Sequence, residues 1–230
     1  MVAIGVGGVI LSDAIFLSAG VPDPKRGPEY AATADTVAIN AAVSALVHVT
    51  LGRRPLVWGG HPAITPMVLE VAKNLDVDYG KWVTLYQTDF YEDEYPEDNE
   101  QFKNVVYTDR VEGDLEASLL EMRRRMFSEH GFGGAVFIGG MGGIMEEFDL
   151  FKEHQPKASL VPVISTGGAA LLLSDQFDST NDDLFTDLDY VALFHRHLDI
   201  STREKRYKTP DEQPSKLEDR FWNDEKIDHR

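Results

Sequence analysis

Short apolar runs, most of them ending in glycine, serine or threonine, alternate along this chain with stretches of helical periodicity. This alternation is typical of parallel β-strands joined by crossover helices. Because the runs are almost continuously apolar, we expect the strands to be buried on both faces. The sequence therefore predicts an α/β fold, a three-layer sandwich with a mostly parallel sheet of five or more strands. The predicted strands are Ala14 to Gly20, Pro55 to Gly60, Trp82 to Gln87, Gly134 to Gly140 and Leu160 to Thr166, with Val105 to Tyr107 as a short additional candidate.

Segments with apolar residues at helical spacing lie between and after these strands. They predict helices at Ala32 to Thr50, Ile64 to Asn74, Asp114 to Glu129, Ile144 to Glu153 and Ala169 to Leu173, with Tyr190 to Leu198 as a sixth candidate. The stretch from Phe90 to Glu100 concentrates carboxylates around a proline. We interpret it as a solvated loop and assign it no chemistry.

The chain length of 230 residues suits one filled core, so we expect a single domain over residues 1–200. Residues 201–230 form a charged C-terminal tail with little apolar content. Leu217, Phe221 and Trp222 are spaced so that a short helix could dock on the body or on a partner subunit. A mostly mobile tail is the alternative.

The chain is strongly acidic, with 39 Asp and Glu residues, 22 Lys and Arg residues and a formal net charge of -17. Such a field repels DNA, RNA and anionic membranes, so we expect no nucleic-acid or membrane partner. A small phosphate ligand stays open, because helix N-termini and backbone amides hold phosphate without a basic patch. The apolar opening from Met1 to Leu11 has no basic flank ahead of it and is followed by Asp13. We therefore expect neither a signal peptide nor a membrane span, and a cytoplasmic protein.

Four of the predicted strands end in turns rich in small residues, and each turn leads into a helix. The turns are Ser18-Ala19-Gly20, Gly59-Gly60-His61-Pro62, Gly139-Gly140-Met141-Gly142-Gly143 and Ser165-Thr166-Gly167-Gly168. In an open parallel sheet the carboxyl ends of the strands share one edge, where ligands bind. Any single turn is explained as a tight bend, but four at one edge predict a shared ligand pocket.

The segment from Ile138 to Phe148 runs from a strand end through four glycines into a helix that carries Glu146 and Glu147. Its amides could cradle a phosphate or ribose, although its spacing is neither that of a Walker loop nor Gly-x-Gly-x-x-Gly. Placing the apolar residues of this helix on the core turns Glu146 away from the core and leaves Glu147 at its margin. Glu146 is thus the better candidate for facing a ligand. Its alternative role is a favourable carboxylate in a first helical turn.

Arg123 is the second charged candidate. The buried stripe of the helix from Asp114 to Glu129 places Arg123 nearest the core, whereas Arg124 points to solvent and Arg125 lies at the flank. Arg123 could then form charge-assisted hydrogen bonds with a phosphate or carboxylate. A snorkelling or salt-bridged arginine is the alternative.

Other side chains give weaker signals. His61 could contact a ligand or be a loop residue before the helix-starting Pro62. His195 and His197 lack nearby carboxylates, and the chain has no cysteine, so we expect no metal site, no disulfide and no thiolate nucleophile. No Ser-His-Asp arrangement supports acyl transfer. We also expect no cofactor.

Three segments resemble the SLOG superfamily: GGHP at Gly59 to Pro62, MRRRM at Met122 to Met126, and FIGGMGGIMEEF at Phe137 to Phe148. The resemblance extends over about Ile15 to Leu173 and is closest to the TRPM-like bacterial branch. The superfamily includes the Lonely Guy phosphoribohydrolases, DprA proteins, N-terminal regions of TRPM channels and sensor domains of bacterial conflict systems such as Thoeris. It implies a Rossmann-like sandwich.

The Lonely Guy enzymes carry Pro-Gly-Gly-x-Gly-Thr-x-x-Glu, and this chain matches its glycines and its glutamate, Glu146. The proline is replaced by Ile138 and the threonine by Gly143, which removes a hydroxyl expected near the phosphate. An Arg-Lys pair on the preceding helix of those enzymes corresponds here to Arg123 and Arg124.

The resemblance implies a sensor or binding protein for an NAD- or ADP-ribose-like nucleotide, or a cyclic signalling nucleotide, in bacterial anti-phage or stress signalling. It also implies a homo-oligomer, most simply a dimer, and an effector protein as partner. The alternative is a Lonely Guy-like hydrolase of an N-glycosidic bond, with Glu146 as acid-base group and Arg123 orienting the phosphate. A structural interaction module is the third class. The expected ligand-binding residues are Ser18, Gly20, Gly59, Gly60, His61, Arg123, Gly139, Gly140, Met141, Gly142, Gly143, Glu146, Thr166 and Gly167.

Overall fold

The computed structural model of the protein describes residues 13–177 and 182–222. The described residues form a six-stranded, fully parallel sheet with helices on both faces, which confirms the predicted α/β sandwich. The strands are β1 (Ala14–Gly20), β2 (Leu56–Trp58), β3 (Val83–Thr88), β4 (Asn104–Thr108), β5 (Phe132–Gly139) and β6 (Ser159–Val163). The additional candidate at Val105 to Tyr107 is thus a full strand. The helices are α1 (Pro28–Ala31), α2 (Thr36–Thr50), α3 (Thr65–Asn74), α4 (Tyr79–Trp82), α5 (Leu115–Glu129), α6 (Gly143–His154), α7 (Gly168–Leu172), α8 (Asp182–Thr186) and α9 (Tyr190–His197).

The strand order is β4-β3-β2-β1-β5-β6, so the direction of winding reverses between β1 and β5. These two strands pair along their whole length, and Gly20 at the end of β1 lies opposite Gly139 at the end of β5. In a doubly wound sheet the loops diverge at this switch point and leave a crevice between them. The crevice of this fold therefore lies beside the two glycine-rich turns.

Alternating side chains of β1 divide the core into two layers. Ile15 and Leu17 pack into the layer under α2, α3 and α9, whereas Phe16 packs into the layer under α5, α6 and α7. Phe16 stacks on Phe151 with ring centroids 5.5 Å apart and meets Phe127 edge to face at 4.9 Å. Because both faces of the central strand are apolar and covered, the sheet reads in the sequence as continuous apolar runs.

Several predicted boundaries differ from the structure by a few residues; the strand predicted to reach Gly60, for example, ends at Trp58. Two further differences have local reasons. Helix α2 begins at Thr36 and not at Ala32, because the Asp35 carboxylate accepts hydrogen bonds from the amides of Val37 and Ala38 and so caps the helix there. The predicted strand from Leu160 to Thr166 ends at Val163 and continues as a 3-10 turn over Ile164–Thr166.

The described part of the charged tail, residues 201–222, packs against the body through polar groups. The carboxylate of Glu204 is buried and lies 2.6 Å from Arg54 Nη1, and Arg53 donates to the Glu204 carbonyl oxygen over 2.8 Å. Leu217 is 46% exposed and Trp222 is 61% exposed, so neither is buried against the body, and docking of this trio on a partner subunit stays a prediction. The contact between this segment and the body includes the buried Arg54–Glu204 ion pair, which an apolar pattern does not reveal, and the packing of Tyr207 at the edge of the core.

The opening segment from Met1 to Leu11 lies outside the described residues. Among residues 13–177 and 182–222, no helix has both the length and the apolar character needed to cross a bilayer.

Candidate functional site

A cavity of about 480 Å³ opens at the carboxyl ends of the central strands, on the side of the switch point between β1 and β5. A volume of this size suits a small-molecule ligand. The turns after β1, β2 and β5, helix α5, the start of α6 and the segment after β3 form its wall. Nine of the predicted ligand-binding residues line it: Gly20, Gly59, Gly60, His61, Arg123, Gly140, Met141, Gly143 and Glu146.

The two strands that flank the switch point are tied together at their ends. Gly140 donates its amide to the Gly20 carbonyl oxygen over 2.7 Å, and Gly139 donates its amide to Thr166 Oγ1 over 2.9 Å. Gly140 has φ +69°, and a side chain there would overlap Ile144. The amides of Gly139 and Gly140 are therefore already used by the fold. Helix α6 begins at Gly143 after the N-cap Gly142, and the first amides of a helix, here those of Gly142 and Gly143, have no acceptor within the helix.

The turn after β6 does not reach the cavity, although the sequence predicts that it does. Thr166 is fully buried and its hydroxyl donates to Val163 while accepting from Gly139. Gly167 has φ +68° and lies so close to the Thr33 carbonyl that a side chain would overlap it. Thr166 thus supports the β5 turn through Gly139, whereas Gly167 packs against the segment before α2. Ser18, Gly139 and Gly142 are likewise absent from the described lining.

Arg123 joins α5 to α6 through two carboxylates. Its Nη1 lies 2.7 Å from a Glu146 oxygen and its Nε lies 3.2 Å from a Glu147 oxygen. Arg123 is buried and Arg124 is exposed, as the helical spacing predicts. Arg123 thus points inward, as predicted, and also forms the salt bridges that were given as its alternative role.

Glu147 is a residue of the site that sequence reasoning placed only at the margin. Ser18 Oγ donates to it over 2.5 Å, and its side chain is 18% exposed against 68% for Glu146. The two neighbouring carboxylates therefore differ in role. Glu147 connects β1, α5 and α6, whereas Glu146 presents its carboxylate to the cavity opening.

His61 lies partly buried on the cavity wall after β2. Burial lowers its pKa, and the nearby Arg26 lowers it further, so the imidazole is neutral at pH 7. Its Nδ1 accepts a hydrogen bond from the Ala63 amide over 3.1 Å. In the neutral ring the proton then resides on Nε2, which lies near Gly20 at the switch point. His61 is therefore a hydrogen-bond donor at this position.

The acid-rich segment after β3 is largely exposed, as predicted, but it also forms one side of the cavity, which was not predicted from the sequence. It folds as two 3-10 turns, Asp89–Glu94 and Glu97–Gln101. Tyr95 Oη donates to the Thr88 carbonyl oxygen over 2.9 Å, and burial together with Asp89 raises the pKa of this phenol. The residues of the segment that line the cavity are Tyr91, Glu94, Tyr95, Pro96 and Asn99.

Charge is unevenly distributed around the cavity. Among the described lining residues, four are glutamates and two are arginines, Arg26 and Arg123. Two of the glutamates, Glu146 and Glu147, are paired with Arg123, while Glu94 and Glu116 belong to the side formed by the segment after β3 and the start of α5. An anionic group is therefore better accommodated at the α6 end than beside Glu94.

Residues 29–198 match the sequence model of the SLOG cluster3 family. This range includes helices α2 to α9, the turns after β2 and β5, Arg123 and Glu146. No curated protein matches the chain.

Proposed function

The chain belongs to the SLOG cluster3 family, and from this membership and its cavity we propose that it binds a nucleotide-derived ligand of the NAD or ADP-ribose type as a sensor. Membership confirms the predicted superfamily. The observation that carries the proposal is the convergence of the β1, β2 and β5 turns with the start of α6 around one cavity. This is where doubly wound sheets bind nucleotides.

The phosphate end of the ligand would lie at the start of α6. Unpaired amides and the positive end of the helix dipole favour an anion there. Arg123 supports the same position, because its Nη2 lies 3.2 Å from where a side chain at Gly143 would begin. Glycine at this position gives the guanidinium room beside the helix start. A phosphate there would meet helix amides and a guanidinium together.

Glu146 is suited to ribose hydroxyl groups. Its carboxylate is mostly exposed at the cavity opening and is held by Arg123 on one oxygen. Carboxylates accept hydrogen bonds from hydroxyl groups, and the second oxygen can do so without breaking the ion pair. His61 Nε2 would add a neutral donor on the opposite turn.

An N-glycosidic hydrolase is the second candidate. The observation that favours it is the same pair, a carboxylate at the cavity opening oriented by a buried arginine over 2.7 Å. Glu146 would stabilise the oxocarbenium-like centre or activate water, and Arg123 would orient the phosphate. Under either function, we also propose that ligand binding changes homo-oligomer assembly or signalling to an effector protein, in an anti-phage or stress response. The closer resemblance to the TRPM-like bacterial branch is likewise part of the proposal.

Thermal unfolding with product analysis tests both candidates. Purified protein is mixed separately with NAD, ADP-ribose and AMP, its melting temperature is measured, and the nucleotides are then separated by chromatography. A sensor is stabilised and returns the ligand intact. An enzyme releases free nucleobase, and the release disappears in Glu146→Gln but not in Glu121→Gln, a control at an exposed carboxylate on α5.

A second pair of variants tests the position of the phosphate. Arg123→Gln is expected to abolish the thermal shift, whereas Arg124→Gln, at the exposed neighbour, retains it. Absence of any shift and of any product with all three nucleotides would contradict the proposal and favour a structural interaction module.

A further inference from the structure

Two buried side chains on the cavity wall have polar atoms without partners. Asn99 is 4% exposed, and neither its Nδ2 nor its Oδ1 has a hydrogen-bond partner within residues 13–177 and 182–222. The indole Nε1 of Trp58 is also buried and has no hydrogen-bond partner among these described residues. Buried polar groups in native proteins are nearly always paired, because burial removes their hydrogen bonds to water and a group without a protein partner does not regain them. Partners for these atoms are therefore to be sought in the cavity that both residues line.

The position of Asn99 makes its burial notable. It lies in the 3-10 turn Glu97–Gln101, whose other members are exposed or only partly buried. An amide on such a turn could reach water with a small change of the segment. The fold instead places it inside, on the side of the cavity formed by the segment after β3.

Flat side chains surround this end of the cavity. Tyr91, Tyr95 and Pro96 come from the same segment as Asn99, and Trp58 comes from the end of β2. Aromatic and proline surfaces bind planar rings, and Tyr95 is fixed by its hydrogen bond to the Thr88 carbonyl oxygen. Glu94 and Glu116 disfavour a phosphate here, while a neutral ring that donates hydrogen bonds is compatible with them.

We propose that this end of the cavity is a subsite for a planar, neutral ring with adjacent hydrogen-bond donor and acceptor groups, held by the Asn99 amide and the Trp58 indole. The edge of adenine and the carboxamide of nicotinamide share this chemistry, and an asparagine amide can pair with either through two hydrogen bonds. The inference rests on the proposed function and orients its ligand. The phosphate lies at the start of α6 and the ring lies beneath the segment after β3.

The affinities of three probe molecules test whether this subsite binds a ring. AMP, nicotinamide mononucleotide and ribose 5-phosphate share a phosphoribosyl group, and the third lacks a ring. Their affinities are measured by calorimetry for the unmodified protein, for Asn99→Leu, and for Gln101→Leu as a control at an exposed amide of the same turn. We expect the unmodified protein to bind AMP or nicotinamide mononucleotide at least about tenfold more tightly than ribose 5-phosphate. The stronger of the two identifies the ring.

In Asn99→Leu the preference for the ring-bearing probe should fall about tenfold, while the affinity for ribose 5-phosphate stays unchanged. Gln101→Leu should keep both. The melting temperature of the free protein provides a second readout: Leu in place of an unpaired buried amide is expected to maintain or raise it, whereas loss of a structural asparagine would lower it.

The outcomes separate the two proposals. Equal affinity for all three probes, unaffected by Asn99→Leu, overturns the subsite and leaves nucleotide binding in place, with water as the partner of the amide. A lowered melting temperature in Asn99→Leu with unchanged probe preference also overturns it. Failure of every probe to bind the unmodified protein overturns the subsite and the proposed function together.

Discussion

Of the two ion pairs of Arg123, the longer one, with Glu147, should be the stronger. The Arg123–Glu146 pair is shorter, at 2.7 Å against 3.2 Å for Arg123–Glu147. Yet the Glu146 side chain is 68% exposed and the Glu147 side chain is 18% exposed, while Arg123 itself is buried. Water screens the first pair, and Ser18 fixes the second by a further hydrogen bond. Burial and not distance should decide the energetics.

The magnitudes follow from these environments. Exposed ion pairs contribute about 0.2–1 kcal/mol in double-mutant cycles. Removing one partner of a buried pair costs about 3–5 kcal/mol, because a charge is left without compensation. The Arg123–Glu147 pair is mostly buried, so we expect a coupling of about 2 kcal/mol for it and less than about 1 kcal/mol for Arg123–Glu146.

Double-mutant cycles measure both couplings. Arg123→Met, Glu146→Gln, Glu147→Gln and the two doubles are unfolded in urea, and the free energies of unfolding are extrapolated to water. The coupling is the part of the double-mutant effect that the single effects do not explain. A coupling for Glu146 equal to or larger than that for Glu147 would refute the assignment of a structural role to Glu147 and an exposed position at the cavity to Glu146.

Three further predictions concern the rest of the molecule. Glu204→Leu leaves Arg54 without its carboxylate and should lower the free energy of unfolding by about 3–5 kcal/mol. The control Glu212→Leu, at an exposed carboxylate, should change it little. A loss below about 1 kcal/mol in Glu204→Leu would contradict the docking of the tail. Gly140→Ala should lower the free energy of unfolding, measured by denaturation, more than Gly113→Ala does. Both glycines have positive φ, but only a side chain at Gly140 would overlap a neighbour, Ile144. Equal effects would argue against close packing at the switch point. The folded pKa of His61 is lowered from 6.5, so the unfolded chain binds the proton more readily and stability is lost as pH falls from about 6.5 through the folded pKa. His61→Gln should reduce this loss, measured as the slope of unfolding free energy against pH between about pH 7.5 and 5, and an unchanged slope would show that the imidazole is not held neutral.

The fold was predictable because its strands are parallel and covered on both faces. Such strands appear as apolar runs, and the run from Ala14 to Gly20 coincides with β1 at both ends. The inward orientation of Arg123 was also predictable, since helical geometry relates it directly to the buried Met122 and Met126. Both inferences use only local periodicity.

The remaining features depend on how distant segments meet. Acidic composition predicts exposure for the segment after β3, and only the tertiary arrangement places Asn99 inside. Glycines in the turn after β6 look like those of the cavity, but Gly167 accommodates the Thr33 carbonyl. Glu147 gains its role from Ser18, which is 129 positions away along the chain. No periodicity encodes such contacts.

The connection from β3 to the edge strand β4 has a consequence for how this architecture can vary. β4 pairs with β3 alone, so the connection can change length or composition without disturbing the hydrogen bonding of the central strands. The anchoring turns at β1 and β5 lie in the middle of the sheet and tolerate no such change. If the proposed function holds, a protein with this architecture could keep the same phosphate position and recognise a different ring by changing this one peripheral connection.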